Sequence, residues 1–246
     1  MQKRQHSYWL LCAAHCIDLI FEDIRKDKNV KIIVERAQAV TRYIYGHPRI
    51  LNMFRELASR GRDIIRARPT RFASNFISLE SLHKFKNELK SFMYHKTLRA
   101  YIDKGSAKSQ MDYLECCHVI EEKEFWDRVA RYLKVGTPLV KVLRMVDGDD
   151  KNDMGYLYEA MDRAKMELQQ SLPRDYKKWW KIINHRWENT LHHDLHAAGY
   201  FPNPRLMYAD NAHVDSEVLH GTLNVIGRLS NDTREKVEGR ASKGCI

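Results

Sequence analysis

A chain of 246 residues is long enough for one large domain or two small ones, with a sizeable buried core. Hydrophobic residues make up 43% of it, which excludes wholesale disorder, and six prolines with eleven glycines are too few for many short strands joined by tight turns. A formal charge of +10 makes a surface that attracts polyanions, nucleic acid foremost; the plainer alternative is a solvated basic surface.

The N-terminus, Met1 to His6, is polar. The run Tyr8-Trp9-Leu10-Leu11-Cys12-Ala13-Ala14 has the look of a signal-peptide core, but His15, Asp18, Glu22 and Asp23 follow at helical spacing in place of a small-residue cleavage site. A buried amphipathic helix from Ser7 to Lys26 is expected, with Leu10, Ala13, Ala14, Ile17, Ile20, Phe21 and Ile24 inward. A second helix runs from about Asn29 to Tyr45 on Val30, Ile33, Val34, Ala37, Val40 and Ile44. Gly46 ends it, and Pro48 opens a third helix carrying Ile50, Leu51, Phe54, Leu57 and Ala58.

Arg55, Arg60, Arg62, Arg66, Arg68 and Arg71 then cluster, opposed only by Glu56 and Asp63, with Pro69 breaking the pattern. Ser78 has the chemistry of an N-cap for a helix on Leu79, Leu82, Phe85, Leu89 and Phe92. Residues from about Tyr94 to Glu124 are the least regular, with a loop at Gly105-Ser106. Helical spacing resumes at Phe125, Val129, Tyr132 and Leu133, and again at Leu139, Val142 and Leu143. After the acidic turn Asp147-Gly148-Asp149-Asp150 come helices on Leu157, Ala160, Met161, Ala164 and Leu168, then on Tyr176, Trp179, Trp180, Ile183 and Trp187. His196 to Pro204 ends a helix and turns the chain. A last helix spans Asp215 to Leu229 on Val218, Leu219, Leu223, Ile226 and Leu229, followed by a polar, frayed tail. Neither period-two alternation nor a fixed repeat is visible, so the fold class is all-α and a solenoid is disfavoured.

Five cysteines, two of them adjacent at Cys116-Cys117, argue against a regular disulfide framework and for a reducing compartment. No run reaches the roughly 18 apolar residues that span a membrane. Cys12 and Cys16, one turn apart beside His15, invite a metal, but a tetrahedral zinc lacks its remaining ligands; two buried cysteines are the alternative. His192 and His196 fall on one helical face, yet the glutamate of H-E-x-x-H is missing, which leaves a packed or exposed histidine cluster. Asp147, Asp149, Asp150 and Asp153 have the carboxylates of a calcium loop but place Gly148 wrongly for one. Phosphate loops and nucleophile elbows are absent. In the arginine cluster ending at Arg68-Pro69-Thr70-Arg71-Phe72, cations suit phosphates and an adjacent aromatic suits an unpaired base. The alternative is a solvated helix with a core Phe72.

Five blocks together resemble the plant-type hAT transposases and their domesticated relatives. Tyr8 to Leu19 looks like the family's C-x-x-H block, and Arg68 to Ser74 like its T-R-W/F block. Leu139 to Asp149, Met154 to Met161, and Trp187 through His192-His193 to Pro204 follow in family order, which makes the resemblance specific over about residues 8 to 230. It implies an RNase-H-like core split by a helical insertion, and metal-dependent DNA cleavage by two aspartates and a glutamate. The blocks that carry that triad, including C-E-R-x-W-S, have no counterpart here. The chain is therefore expected to be the middle of the family fold without its catalytic sheet: residues 1–66 as helices after the second catalytic strand, 67–230 as the all-helical insertion, and 231–246 as tail. On the same resemblance, the BED zinc finger and the dimerisation region of the family are expected to be missing too.

The resemblance further implies a nuclear DNA-binding fragment with no catalytic residue, metal, cofactor or small-molecule substrate. Cys12 and His15 would handle DNA through the C-x-x-H block, and Phe72, replacing the family's tryptophan, would stack on an unpaired base. Arg66, Arg68 and Arg71 complete the expected DNA surface, with weak, salt-dependent binding. The alternatives are a protein-interaction module, self-associating through the faces of Leu10, Ile17 and Ile24 that would have packed on the absent sheet, and a non-functional pseudogene product.

Overall fold

The computed structural model describes residues 8–68, 71–148, 154–201 and 216–230, and every regular element among them is helical. The expectations that fall on Ser7, Pro69 and Thr70, Asp149 to Asp153, Pro202 to Asp215 and the tail from 231 lie outside the described residues. The chain divides into two compact units. One holds residues 18–137; the other holds the described parts of residues 1–17 and 138–246. The divisions fall inside two helices, α1 (Ala13–Arg25) and α8 (Lys123–Val146), while residues 66 and 67 lie inside the first unit.

In the unit of residues 18–137, α2 (Lys28–Gly46) starts where the Asp27 carboxylate accepts the N–H groups of Asn29 and Val30. It ends at Gly46, and extended His47 leads into α3 (Pro48–Phe54) with proline at its first position. A π-helical turn, Arg55–Ser59, continues α3 until Arg60 and Gly61 adopt left-handed φ of 53° and 77°. The Gly61 N–H then closes on the Arg55 carbonyl at 2.9 Å, and the chain leaves helix geometry over residues 62–68. Next come α4 (Ala73–Lys84), α5 (Lys86–Met93), α6 (Lys96–Ile102) and α7 (Ala107–Glu121).

Aromatic contacts knit this core: Phe21 on Phe76 at 4.9 Å, Phe54 on Phe92 at 5.3 Å, and Phe125 on Trp126 at 5.1 Å. Fully buried Trp126 donates its indole N–H to the Ile120 carbonyl at 2.7 Å, so its one polar atom is satisfied. Gly136 has a packing reason: a Cβ there would lie 2.1 Å from the Phe76 ring.

Helix boundaries depart from the sequence reading at several points, and the helix expected on Leu79 to Phe92 is two, α4 and α5, divided at Phe85. Helix α4 begins at Ala73 and not at Ser78, which is buried in mid-helix; the cap comes from Asp18, far off in sequence. The stretch 94–124 holds α6 and α7, because Tyr113, Cys116, Cys117 and Ile120 make an inward stripe of residues that are only weakly apolar. Residues 123–146 form one helix instead of two. Pro138 removes a single N–H, while Val135, Leu139 and Val142 stay buried on either side of it.

In the other unit, α9 (Met154–Ser171) precedes α10 (Tyr176–Arg186), which a π-helical turn, Trp187–Leu191, extends. Then come α11 (Asp194–Tyr200) and α12 (Ser216–Leu229). Tyr158 packs on Trp187 at 5.7 Å and on Tyr200 at 5.5 Å. Helices α11 and α12 approach closely at Gly221, where a Cβ would come within 2.9 Å of the Ala197 Cβ. Val218, Gly221, Thr222 and Val225 form the buried face of α12, whereas Leu229 of the expected stripe is exposed.

Helix α1 begins at Ala13, not Ser7. The residues before it run irregularly, with the Arg228 guanidinium 4.4 Å from the Tyr8 ring and His193 at 5.2 Å from it. Trp9 and Leu11 are exposed there, so the expected buried start of this helix is not found. Ile17 and Ile24 are completely buried, as the helical spacing predicts and unlike the alternative of an exposed associating face, and Leu10 is half-buried.

Candidate nucleic-acid interface

Most of the chain's positive excess falls in residues 18–137, and its cations are unevenly opposed. Two of the clustered arginines are committed within the fold. Arg55 grips Asp63 through two bonds of 2.9 Å, and this pairing holds the Asp63 carboxyl below its ordinary range. Arg62 lies over Phe85 at 5.0 Å and 3.4 Å from Glu88.

Arg66 and Arg68 have a different setting. With Arg42 they line an open groove of about 790 Å³, whose other walls are Gln38, Thr41, Tyr45, Gly46, Ile65 and Ala67. No carboxylate is among these lining residues, and all three arginines are exposed. Ile65 is 54% exposed, and the Arg66 guanidinium sits 4.9 Å from the centre of the Tyr45 ring. Cations, an aromatic ring and an apolar side chain therefore share one recess, the combination that suits a polyanion with flat, apolar bases.

One wall is the non-helical segment 62–68, and side chains of other elements hold its backbone in place. The Tyr45 hydroxyl accepts the Ile64 N–H at 2.7 Å and donates to the Ile64 carbonyl at 3.1 Å; burial pushes this phenol above its usual range, keeping it a neutral donor. Ser81 of α4 accepts the Ile65 N–H at 2.9 Å. Ser74 accepts the Arg68 N–H at 2.8 Å and directs its own proton to the Arg68 or Arg71 carbonyl. Buried Ser74 and Ser81 of α4 thus serve an irregular neighbour, which explains polar residues on the inward side of this helix.

Of the site residues expected from the sequence, Arg66 and Arg68 meet in the groove. Exposed Arg71 and half-buried Phe72 stand just before α4, where the Phe72 N–H is held by Asp18. Exposed Cys12 and His15 belong to the other unit. Arg42, Tyr45 and Ile65 were missed. Arg42 and Tyr45 are three apart on α2, so a reading of its outward face could have found them.

The metal candidates come apart. Cys12 is exposed, while buried Cys16 points its thiol 3.8 Å from the Thr190 carbonyl, and burial raises its pKa. His192 precedes α11, and His193 caps it by accepting the Leu195 N–H. His196 alone is deeply buried. Among the described residues no group of three His, Cys, Asp or Glu side chains is arranged to hold an ion, and no helix is long and apolar enough to cross a membrane. Comparison with protein-family models, with curated proteins and with solved structures finds no match to this chain in any of the three.

Proposed function

We propose that the chain is a helical DNA-binding module related to the hAT transposases, working in the nucleus through the groove of Arg42, Arg66 and Arg68. The observation that supports this reading is the groove itself: three exposed arginines and no lining carboxylate, with an aromatic ring and an apolar side chain between them. Binding is weak in sequence preference and steep in salt, since each neutralised phosphate releases counterions. The module has no cleavage chemistry of its own, because none of the five matching blocks is one that carries the family's triad. Anisotropy titrations of labelled DNA across a salt series test the reading. Absence of binding at low salt would sink it, and nicking of DNA with Mg²⁺ or Mn²⁺ would overturn its non-catalytic part.

A second reading, protein association, is favoured by α7. Its Met111 and Leu114, one turn apart, are 60% and 59% exposed. A concentration-dependent mass in light scattering, abolished by Met111→Ser with Leu114→Ser, would support that reading.

A further inference from the structure

We infer that the groove takes single-stranded DNA in preference to duplex, with one base stacked on the outer face of the Arg66 guanidinium. This rests on the reading of the groove as a DNA interface and names the form of DNA it fits.

The first reason is shape. Arg42, Arg66 and Arg68 line a recess, and its volume of about 790 Å³ is of the size that encloses small organic groups. A duplex keeps its bases stacked inside and meets proteins by its grooves and backbone, with a major groove about 12 Å wide that receives a projecting helix. A concave arginine-lined wall offers it little. A flexible single strand can lower one or two nucleotides into such a space.

The second reason is chemical. Ile65 is more than half exposed inside a cationic groove, where a sugar-phosphate backbone gives it nothing to cover. An unpaired base does, since every base has an apolar face.

The third is preorganisation. The Tyr45 ring is fixed by the two bonds between its hydroxyl and the Ile64 backbone, and Arg66 lies on it at 4.9 Å. The guanidinium is planar, weakly hydrated and exposed, so it offers a surface on which a base can stack beside the ring. Arg42 and Arg68, on the same groove, are placed for the flanking phosphates.

The test uses the full chain, a labelled mixed-sequence strand, the duplex of the same sequence, and the variant Arg66→Lys, with folding checked by circular dichroism. Lysine keeps the charge and removes the plane. The expected result is binding of the strand about tenfold more tightly than the duplex, with Arg66→Lys losing about that factor on the strand alone. Equal or tighter binding of duplex would overturn the inference and leave the DNA-binding reading standing, as would equal weakening of both probes by Arg66→Lys. Binding of neither probe would remove both.

Discussion

The Asp18 carboxylate on α1 accepts the N–H of Ala73 at 2.8 Å and that of Phe72 at 3.2 Å, so α4 receives its N-terminal cap from a residue 55 positions upstream. A carboxylate at this end also meets the positive pole of the helix. Asp18→Ala should destabilise the protein by about 1–2 kcal/mol, with Asp18→Asn recovering part of the loss. Urea denaturation of the three proteins measures this, and equal stability of wild type and alanine variant would refute the cap.

Close packing at Gly136 makes a second expectation. A methyl group there would lie 2.1 Å from a Phe76 ring carbon, which also touches Phe21. Gly136→Ala should therefore cost about 1–3 kcal/mol, although alanine is the better helix former. Adding Phe76→Leu should cost less than the sum of the two single changes, a coupling that a double-mutant cycle reads directly.

The histidines of the other unit set a pH dependence. His196 is buried, and neither ring nitrogen has a hydrogen-bond partner among the described residues. Burial, with the nearby His193 and His192, lowers its pKa to about 4; the Leu191 carbonyl opposes that fall without forming a bond of acceptable geometry. The neutral form is thus favoured on folding, and the unfolded chain binds the proton more readily. Its contribution is complete above about pH 6.5 and drains away as the pH falls towards about 4, up to about 3 kcal/mol in all. Chemical denaturation at pH 7.5 and at 4.5 should show this loss in the wild type and a smaller one in His196→Leu.

The arginines should differ in their effects on DNA affinity. Arg42→Ala and Arg68→Ala should each weaken binding and lower the salt slope by about one unit for every phosphate that is no longer neutralised. Arg55→Ala should leave that slope unchanged, because its partner is Asp63. If Arg55→Ala matched the others, general charge and not the groove would account for binding.

Tyr45 is expected to act through the chain it holds. Tyr45→Phe keeps the ring under Arg66 but frees the Ile64 N–H and carbonyl. Hydrogen exchange at the Ile64 amide should then accelerate well above its wild-type rate, with Ile65, still bonded to Ser81, affected less. Unchanged exchange at Ile64 would mean that the hydroxyl does not anchor this wall.

What the sequence made legible follows from how far each signal reaches. The all-helical class and the limits of α2 and α3 are written in local spacing, a terminal glycine and a proline at the first helical turn. The start of α4 was not legible, since its cap is distant and Ser78 offered a local alternative. Helix α7 was obscured because its inward stripe is built from tyrosine and cysteine. At the site, Arg66 and Arg68 stood out as a charge cluster. Arg42 and Tyr45 did not, because only the folded chain brings the end of α2 beside segment 62–68.

The clasps on that segment all grip peptide groups: Tyr45 at Ile64, Ser81 at Ile65 and Ser74 at Arg68. None of these hydrogen bonds engages the side chains of Ile65, Arg66 or Arg68 that face the groove; the Tyr45 ring alone among the clasps also meets one of them, Arg66. Tyr45, which does both, aside, the residues that build the wall and those that decorate it are therefore encoded separately. In an engineered library, positions 65, 66 and 68 are accordingly the places to vary, with Tyr45, Ser74 and Ser81 kept constant as the frame. New specificities can then be sampled on an inherited backbone without reopening the problem of folding.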